Sequence, residues 1–288
     1  MSNSKVIQEK INSINSTQKI TKAMHMVAAS KMKKAEDNML ISRPYSLKMT
    51  QVINHIANSN TEYSHPYIEK NNSNDVGIVV ISTNRGLCGG LNQNLFRKVL
   101  HDIQEYRANN KKVHLFLVGN KANSFFKNIN VNIAASIDGF EKFMPQDVLT
   151  VSKLFSSYYK EEKIGSLFIA YNKFENTMSQ MPVISSLLPL KILESDEKLS
   201  SRHWDYIYEM SSRDILNELL ERYVQSVISQ SVVENIASEQ AARMVAMQNA
   251  TSNADEIKEK LKLSYNKLRQ ASITQELAEI VSGASAIN

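Results

Sequence analysis

"SEQAARMVAMQNATSNADEIKEKLKLSYNKLRQASITQELAEIVSGA" runs from Ser238 to Ala284 with a single glycine near its end and no proline. Glycine and proline are the residues that most readily turn a chain or end a helix. The stretch is therefore read as one continuous helix. Along it Met244, Met247, Thr251, Ala254, Lys258, Leu261, Tyr265 and Leu268 step by three or four residues. That spacing puts one seam on one side of a helix. A helix from about Ser211 to Ser282 would be roughly 105 Å long at 1.5 Å per residue. This exceeds what a compact domain needs. Such a helix is expected to project and to require a partner along its seam.

The other end of the chain offers that partner. Ile7, Ile11, Ile14, Gln18, Thr21, His25, Ala28, Met32, Ala35 and Met39 are spaced alternately four and three apart, the heptad seam of a coiled coil. Its occupants pass from isoleucine to small, polar or flexible residues, which pack closely but bury less apolar area per turn. Pro44 is a candidate kink, and the apolar spacing is expected to resume through Val52 and Ile56. Charge favours the pairing. Residues 1–57 hold nine Lys/Arg against three acids, or +6, and residues 205–288 hold eight against twelve, or −4. The alternative is a pair of independent, solvated helical faces.

Between these ends the chain is punctuated. Seven of the eight glycines fall between Gly77 and Gly165. "VGIVVIST" (76–83) reads as a buried strand running into a glycine-rich turn. A helix follows over "NQNLFRKVLHDIQEYRANN", then strand "KVHLFLVG", a helix near Lys121–Lys127 and a short strand near Asn132–Ser136. "PQDVLTVSKLFSSYYKEE" opens on proline and aspartate with a periodic apolar face, a good helix start. "SLFIAYNKF" and "MPVISSLLPL" complete the set as strands. The alternation predicts a doubly wound, Rossmann-like α/β domain of about five strands. The domain boundaries read as 1–60 for the first helix, 75–195 for the α/β domain and 207–288 for the last helix.

The totals exclude several classes. Apolar residues make up 42% of the 288, enough for a core, while the longest apolar runs are far too short to span a bilayer. No direct membrane insertion is expected, and the N-terminus lacks the pattern of a signal peptide. Cys88 is the one cysteine, which excludes an internal disulfide and suits a reducing, cytoplasmic setting. A pI near 9.0 fits an anionic partner of any kind without selecting one.

Chemistry-bearing patterns are few. "TNRGLCGGLN" (83–92) lies where a phosphate-binding loop would lie, yet it has neither the G-x-x-x-x-G-K-[ST] nor the G-x-G-x-x-G order. A tight strand-to-helix turn is the simpler reading of Gly86–Gly90. A nucleotide-binding enzyme at this turn is the rival one. Cys88 has no histidine or lysine nearby in sequence and reads as an inert thiol. No two of the six histidines stand three or four apart, so no metal and no cofactor is expected. "KMKKAED" (31–37) reads as a solvated basic face or as a contact for acidic loops. Methionines cluster at Met24, Met26, Met32 and Met39, and again at Met244 and Met247, usually a core feature.

Three segments carry a family resemblance. "STQKITKAMHMVAASKMKKAE" (16–36), "NRGLCGGLN" (84–92) and the long C-terminal stretch from Ser238 resemble the gamma subunits of rotary ATP synthases, in order and at both chain ends. The resemblance implies a non-catalytic rotor subunit of the central stalk. Its first and last helices would wind into an antiparallel, left-handed coiled coil inside a hexamer of alpha and beta subunits. The α/β domain would lie beside the epsilon subunit, with a foot on the membrane ring of c subunits. No nucleic acid is implied. By motif, Met24, Lys31, Lys33, Lys34, Arg243, Gln270, Thr274 and Glu276 would meet the beta subunits. Tyr206, Tyr208 and Glu209 of "WDYIYE" would meet epsilon and the c ring. The last residues, "ASITQELAEIVSGASAIN", are similar to a tip that turns in an apolar bearing. Thr83-Asn84 stands where Ser-Asp is common, and His25 where an acid is common. The dithiol loop of chloroplast relatives is missing, so thiol regulation is not expected. The absence of a targeting extension implies a bacterial source and the cytoplasmic face of the membrane. A coiled-coil scaffold unrelated to rotation is the remaining alternative, on the heptads alone.

Overall fold

The structure is a computed structural model describing residues 2–59, 65–69, 71–139, 145–190 and 212–287. In chain order its elements are α1 (Ser2–Ser59), β1 (Val76–Ile81), α2 (Leu91–Ala108), β2 (Val113–Val118), α3 (Asn120–Phe126), β3 (Asn132–Ile137), α4 (Pro145–Lys160), β4 (Ser166–Phe174), β5 (Gln180–Leu188) and α5 (Ser212–Ile287). Two compact units result, one of residues 1–29 with 243–288, the other of residues 30–242. Each long helix contributes to both.

The unit of chain ends is an antiparallel helix pair. Gln18 reaches Lys258, and three residues further along α1 Thr21 reaches Thr251, so α5 runs backwards past α1. The heptad reading of α1 holds from Ile7 to Met39. Ile11, Ala28, Ala35 and Met39 are buried, and Ile7, Ile14, Gln18, Thr21, His25 and Met32 are half-buried. On α5 Met247 and Ala254 are buried, while Met244, Thr251, Lys258, Leu261 and Tyr265 are half-buried. Leu268 is already 36% exposed, where little of α1 is left to face it. Pro44 sits inside an unbroken helix. The side chains of Val52 and Ile56 lie outside the described residues; Ile53, which is described, is buried.

The larger unit holds a five-stranded sheet in the order β3-β2-β1-β4-β5. The first four strands are parallel and β5 pairs antiparallel with β4. β1 is buried along all six residues, as a strand covered on both faces must be. Its alternation divides the core. Val76, Ile78 and Val80 face Leu95, Phe96, Val99 and Ile103 of α2 with Ala122 and Phe126 of α3. Val79 and Ile81 face Val151, Phe155 and Tyr159 of α4, Ile53 of α1, and Leu220, Val224, Ile228 and Val232 of α5. Helices on both faces make the sheet doubly wound. Each buried Val, Leu, Ile or Phe contributes about 1.5–3 kcal/mol. Phe116 of β2 packs edge-on against Tyr158 at 5.0 Å and tilted against Phe155 at 5.0 Å.

β5 is one of the two edge strands, with β3 at the other edge. Its Pro182 stands opposite Asn172, has no N–H, and turns its carbonyl to Lys98 Nζ at 3.0 Å. Proline belongs on a sheet edge for this reason.

Candidate functional site

The first candidate is the helix pair. A polar layer interrupts its seam. Thr21 Oγ1 and Thr251 Oγ1 lie 2.7 Å apart, and each also lies within hydrogen-bond distance of a carbonyl of its own helix, Gln18 O at 3.0 Å and Met247 O at 2.8 Å. Two hydroxyl protons serve three contacts. One threonine therefore donates to its carbonyl and accepts from the other. One turn along, Lys258 Nζ donates to Gln18 Oε1 at 3.0 Å and to Asp255 Oδ1 at 2.6 Å. The Lys258 side chain is only 16% exposed. Its hydrogen bond and charge, with Gln18 and Lys22, hold the Asp255 carboxyl below the usual carboxylate range. A polar pair in an apolar seam gives up stability and fixes register.

Away from the seam the pair presents apolar side chains. Val6, Ile20, Met26 and Val27 on α1 are exposed, as are Ile257, Leu263, Ile273, Leu277, Ile280 and Val281 on α5. Isolated exposed residues need no explanation, but runs along two helices mark a surface that meets another molecule.

Met24 is half-buried beside the seam. Lys31, Lys33 and Lys34 are exposed; Lys31 and Lys34, three apart, share a side of α1. Arg243 is 8% exposed. Gln270, Thr274 and Glu276 are exposed on α5, with the Thr274 hydroxyl donating to Gln270 O at 2.9 Å. Tyr206, Tyr208 and Glu209 lie outside the described residues.

The second candidate is the crevice where a doubly wound sheet binds ligands, at the carboxyl ends of the strands where the order reverses. Here that point lies between β1 and β4. The turn after β1 is tied into its own surroundings. Asn84 Oδ1 accepts from Asn120 N–H at 3.1 Å and Gly139 N–H at 2.9 Å, while its amide donates to Gly139 O at 2.6 Å. Asn92 accepts from Thr83 N–H and donates to the Thr83 hydroxyl at 2.7 Å. Ser82 Oγ donates to Val118 O and accepts from Ala122 N–H. The side chains of Ser82, Asn84 and Asn92 and the N–H of Thr83 are thus taken up in tying the turn to the start of α2, the end of β2, the start of α3 and Gly139. Leu87 stands at φ 64°, 61% exposed, and Cys88 beneath it is buried.

On the side of β4 the crevice is occupied. β1 accompanies β4 only as far as Ala170. Beyond it, Asn172 turns its backbone toward α5, since it faces Pro182 on the other side. Asn235 Oδ1 accepts from Asn172 N–H at 3.3 Å and from Asn172 Nδ2 at 3.0 Å, and the Ser238 hydroxyl donates to Asn172 O at 2.9 Å. All three residues are buried. Beside them, burial pushes the Tyr171 phenol up to about 12, with the Glu234 carboxylate adding to the effect. Reading the sequence did not find this cluster. Its members lie 63 and 66 residues apart, and serine and asparagine on a helix read as surface.

His101, Asp102 and Glu105 form a second cluster that the spacing of the histidines does not reveal. His101 Nδ1 lies 3.7 Å from both Asp102 Oδ1 and Glu105 Oε1 on α2. His101 and Glu105 are mostly exposed, and the contacts are those of polar side chains on a solvated helix face.

Comparison with known proteins matches this architecture. The family described as ATP synthase matches residues 3–287. The ATP synthase gamma chains of Legionella pneumophila strains Corby and Paris are each 48% identical over 288 residues, covering all of both chains. Among solved structures, a chain of the Euglena gracilis mitochondrial ATP synthase in rotational state 3 is similar with a TM-score of 0.70 and 23% identity, covering 99% of this chain and 95% of that one. A chain of the Tetrahymena thermophila mitochondrial ATP synthase central stalk and c ring gives 0.60 and 24%, covering 80% and 99%. These two likenesses bear on the fold.

Proposed function

The chain belongs to the family of ATP synthase gamma chains, and from that premise we propose how its parts divide the work. It is the non-catalytic central-stalk subunit. Its partners are the alpha and beta subunits, the epsilon subunit and the c ring. The end-to-end match at 48% identity carries this conclusion. No helix among the described residues is long and apolar enough to cross a membrane, in keeping with a peripheral subunit. We place it at the cytoplasmic face of a bacterial membrane.

The helices of 1–60 and 207–288 act as the turning element and the domain of 75–195 as the base that is driven. Three identical beta subunits meet different sides of an unlike pair of helices. Each side favours a different state of the catalytic pocket, so turning the pair changes which pocket holds its nucleotide tightly. The rotation angle thus behaves as an effector with differential affinity for the pocket states.

Met24, Lys31, Lys33, Lys34, Arg243, Gln270, Thr274 and Glu276 form the beta contact. The exposed lysines attract acidic loops at long range, which sets approach more than affinity. Arg243, the buried member of the set, contributes only the small part of its surface left open. Tyr206, Tyr208 and Glu209 contact epsilon and the c ring. The apolar side chains from Ile273 to Val281 sit in a bearing formed by the partners. Mixing the full chain with alpha and beta subunits of its complex should give a stable assembly with raised ATP turnover. An assembly that turns over ATP no faster than alpha and beta alone would overturn the reading.

A further inference from the structure

A rotor subunit must hold its turning helix to the part that is driven, and the apolar contacts of α5 with the sheet do this poorly. Val224, Ile228 and Val232 bury a surface without direction, which tolerates small slides and twists. The three bonds at Asn172 are different. They join side chains of α5 to backbone and amide groups of β4 where β1 no longer covers it. A shift of α5 by one turn, about 5.4 Å, would break all of them and bury their groups unpaired. The cluster is also imperfect as a source of stability, since Asn172 Oδ1 and Glu234 Oε2 are buried with no partner among the described residues. Polar groups kept in a core at such a cost set position rather than strength.

We propose that Asn235 and Ser238, acting on the backbone of Asn172, are positioning residues for rotary coupling: they lock α5 to β4 at the reversal point of the sheet, so that torque passes through this joint without slip. The assignment rests on the rotor reading above. It also gives the β4 side of the crevice a use, because α5 fills the place where other doubly wound sheets hold a ligand.

The test uses the whole ATP synthase carrying Asn235→Leu with Ser238→Ala, which keeps the branching of the Asn235 side chain and removes the bonds. Three quantities are read on assembled enzyme: ATP hydrolysis, protons or other ions pumped per ATP in vesicles, and torsional stiffness from the angular fluctuation of a probe on the stalled rotor. Hydrolysis should stay close to wild type. Stiffness should fall to about half, because polar ties and apolar packing share the joint, and pumping per ATP should fall under load. Asn172→Ala keeps both backbone bonds and loses only the amide one, so its stiffness should stay above that of the double variant. A purely structural role would lower the yield of enzyme but leave the stiffness of what assembles unchanged. Wild-type stiffness in the double variant overturns the proposal. Should the double variant fail to assemble, Ser238→Ala alone decides, by reduced stiffness for the proposal or unchanged stiffness against it. Failure of the unmodified chain to raise turnover with alpha and beta would instead strike the rotor reading itself.

Discussion

At the scale of single residues, two positions make separable demands. Gly165 leads into β4, its N–H donates to Asp75 O at 2.7 Å, and a Cβ there would collide with the backbone carbonyl of Ser73. Backbone cannot swing aside as a flexible side chain can. Gly165→Ala should therefore cost at least about 2 kcal/mol, seen as a lower denaturant midpoint with unchanged slope. His65 is buried against Tyr67 and accepts from Tyr67 N–H at Nδ1, 3.0 Å away. Burial, helped by the charge of Lys160 and opposed by Glu221, holds its imidazole below the ordinary 6.5. The unfolded chain then takes up a proton that the folded chain refuses. Stability from this group is full above 6.5 and is lost as the pH falls through 6.5 toward the folded value. Denaturant midpoints at about pH 7.5 and 5.5 should drop on acidification, and His65→Gln should flatten part of that drop. Neither residue announced itself. A glycine before a strand and a lone histidine look ordinary until Ser73 and Tyr67 are placed beside them, and only the fold does that.

At the scale of elements, the polar layer of the helix pair gives a test by non-additivity. Thr21→Val alone leaves the Thr251 hydroxyl facing a methyl group and should cost about 1 kcal/mol. Thr251→Val should do the same. The double variant should cost less than the sum, because two apolar groups of similar shape replace two polar ones. Additive losses in equilibrium unfolding of the full chain would mean that the hydroxyls do not depend on each other. This register was partly legible beforehand. The seam from Ile7 to Met39 follows from spacing, since a period of 3.5 favours a helix with a facing partner. So do the strands, where Val76–Ile81 can only be satisfied by burial on both faces. Spacing does not say which rung of α1 meets which rung of α5. That choice falls to Gln18, Thr21, Thr251 and Lys258, whose side chains looked like flaws in the seam.

At the scale of the whole molecule, the helix pair and the α/β unit carry different kinds of surface. Replacing Ile273–Val281 with alanine and serine removes exposed apolar side chains and almost no internal packing. The stability of the chain alone should change by less than about 0.5 kcal/mol, measured by thermal unfolding, while turnover of the assembled enzyme should fall. Loss of stability in the isolated chain would mean that this segment packs within the chain instead. The location of the crevice was legible, because a strand and a glycine-rich turn mark it in any doubly wound sheet. Its occupation by α5 was not, because Asn235 and Ser238 approach it from a helix read for its apolar side.

The outer edge of the sheet has a bearing on the life of the chain before it finds its partners. A newly made copy exposes oily helix faces and so courts self-association. One template it offers, the rim of β5, is blunted where Pro182 lacks a donor and Lys98 covers the acceptor. A stray strand finds a broken ladder there, and an orphaned copy is steered away from fibrils while it waits.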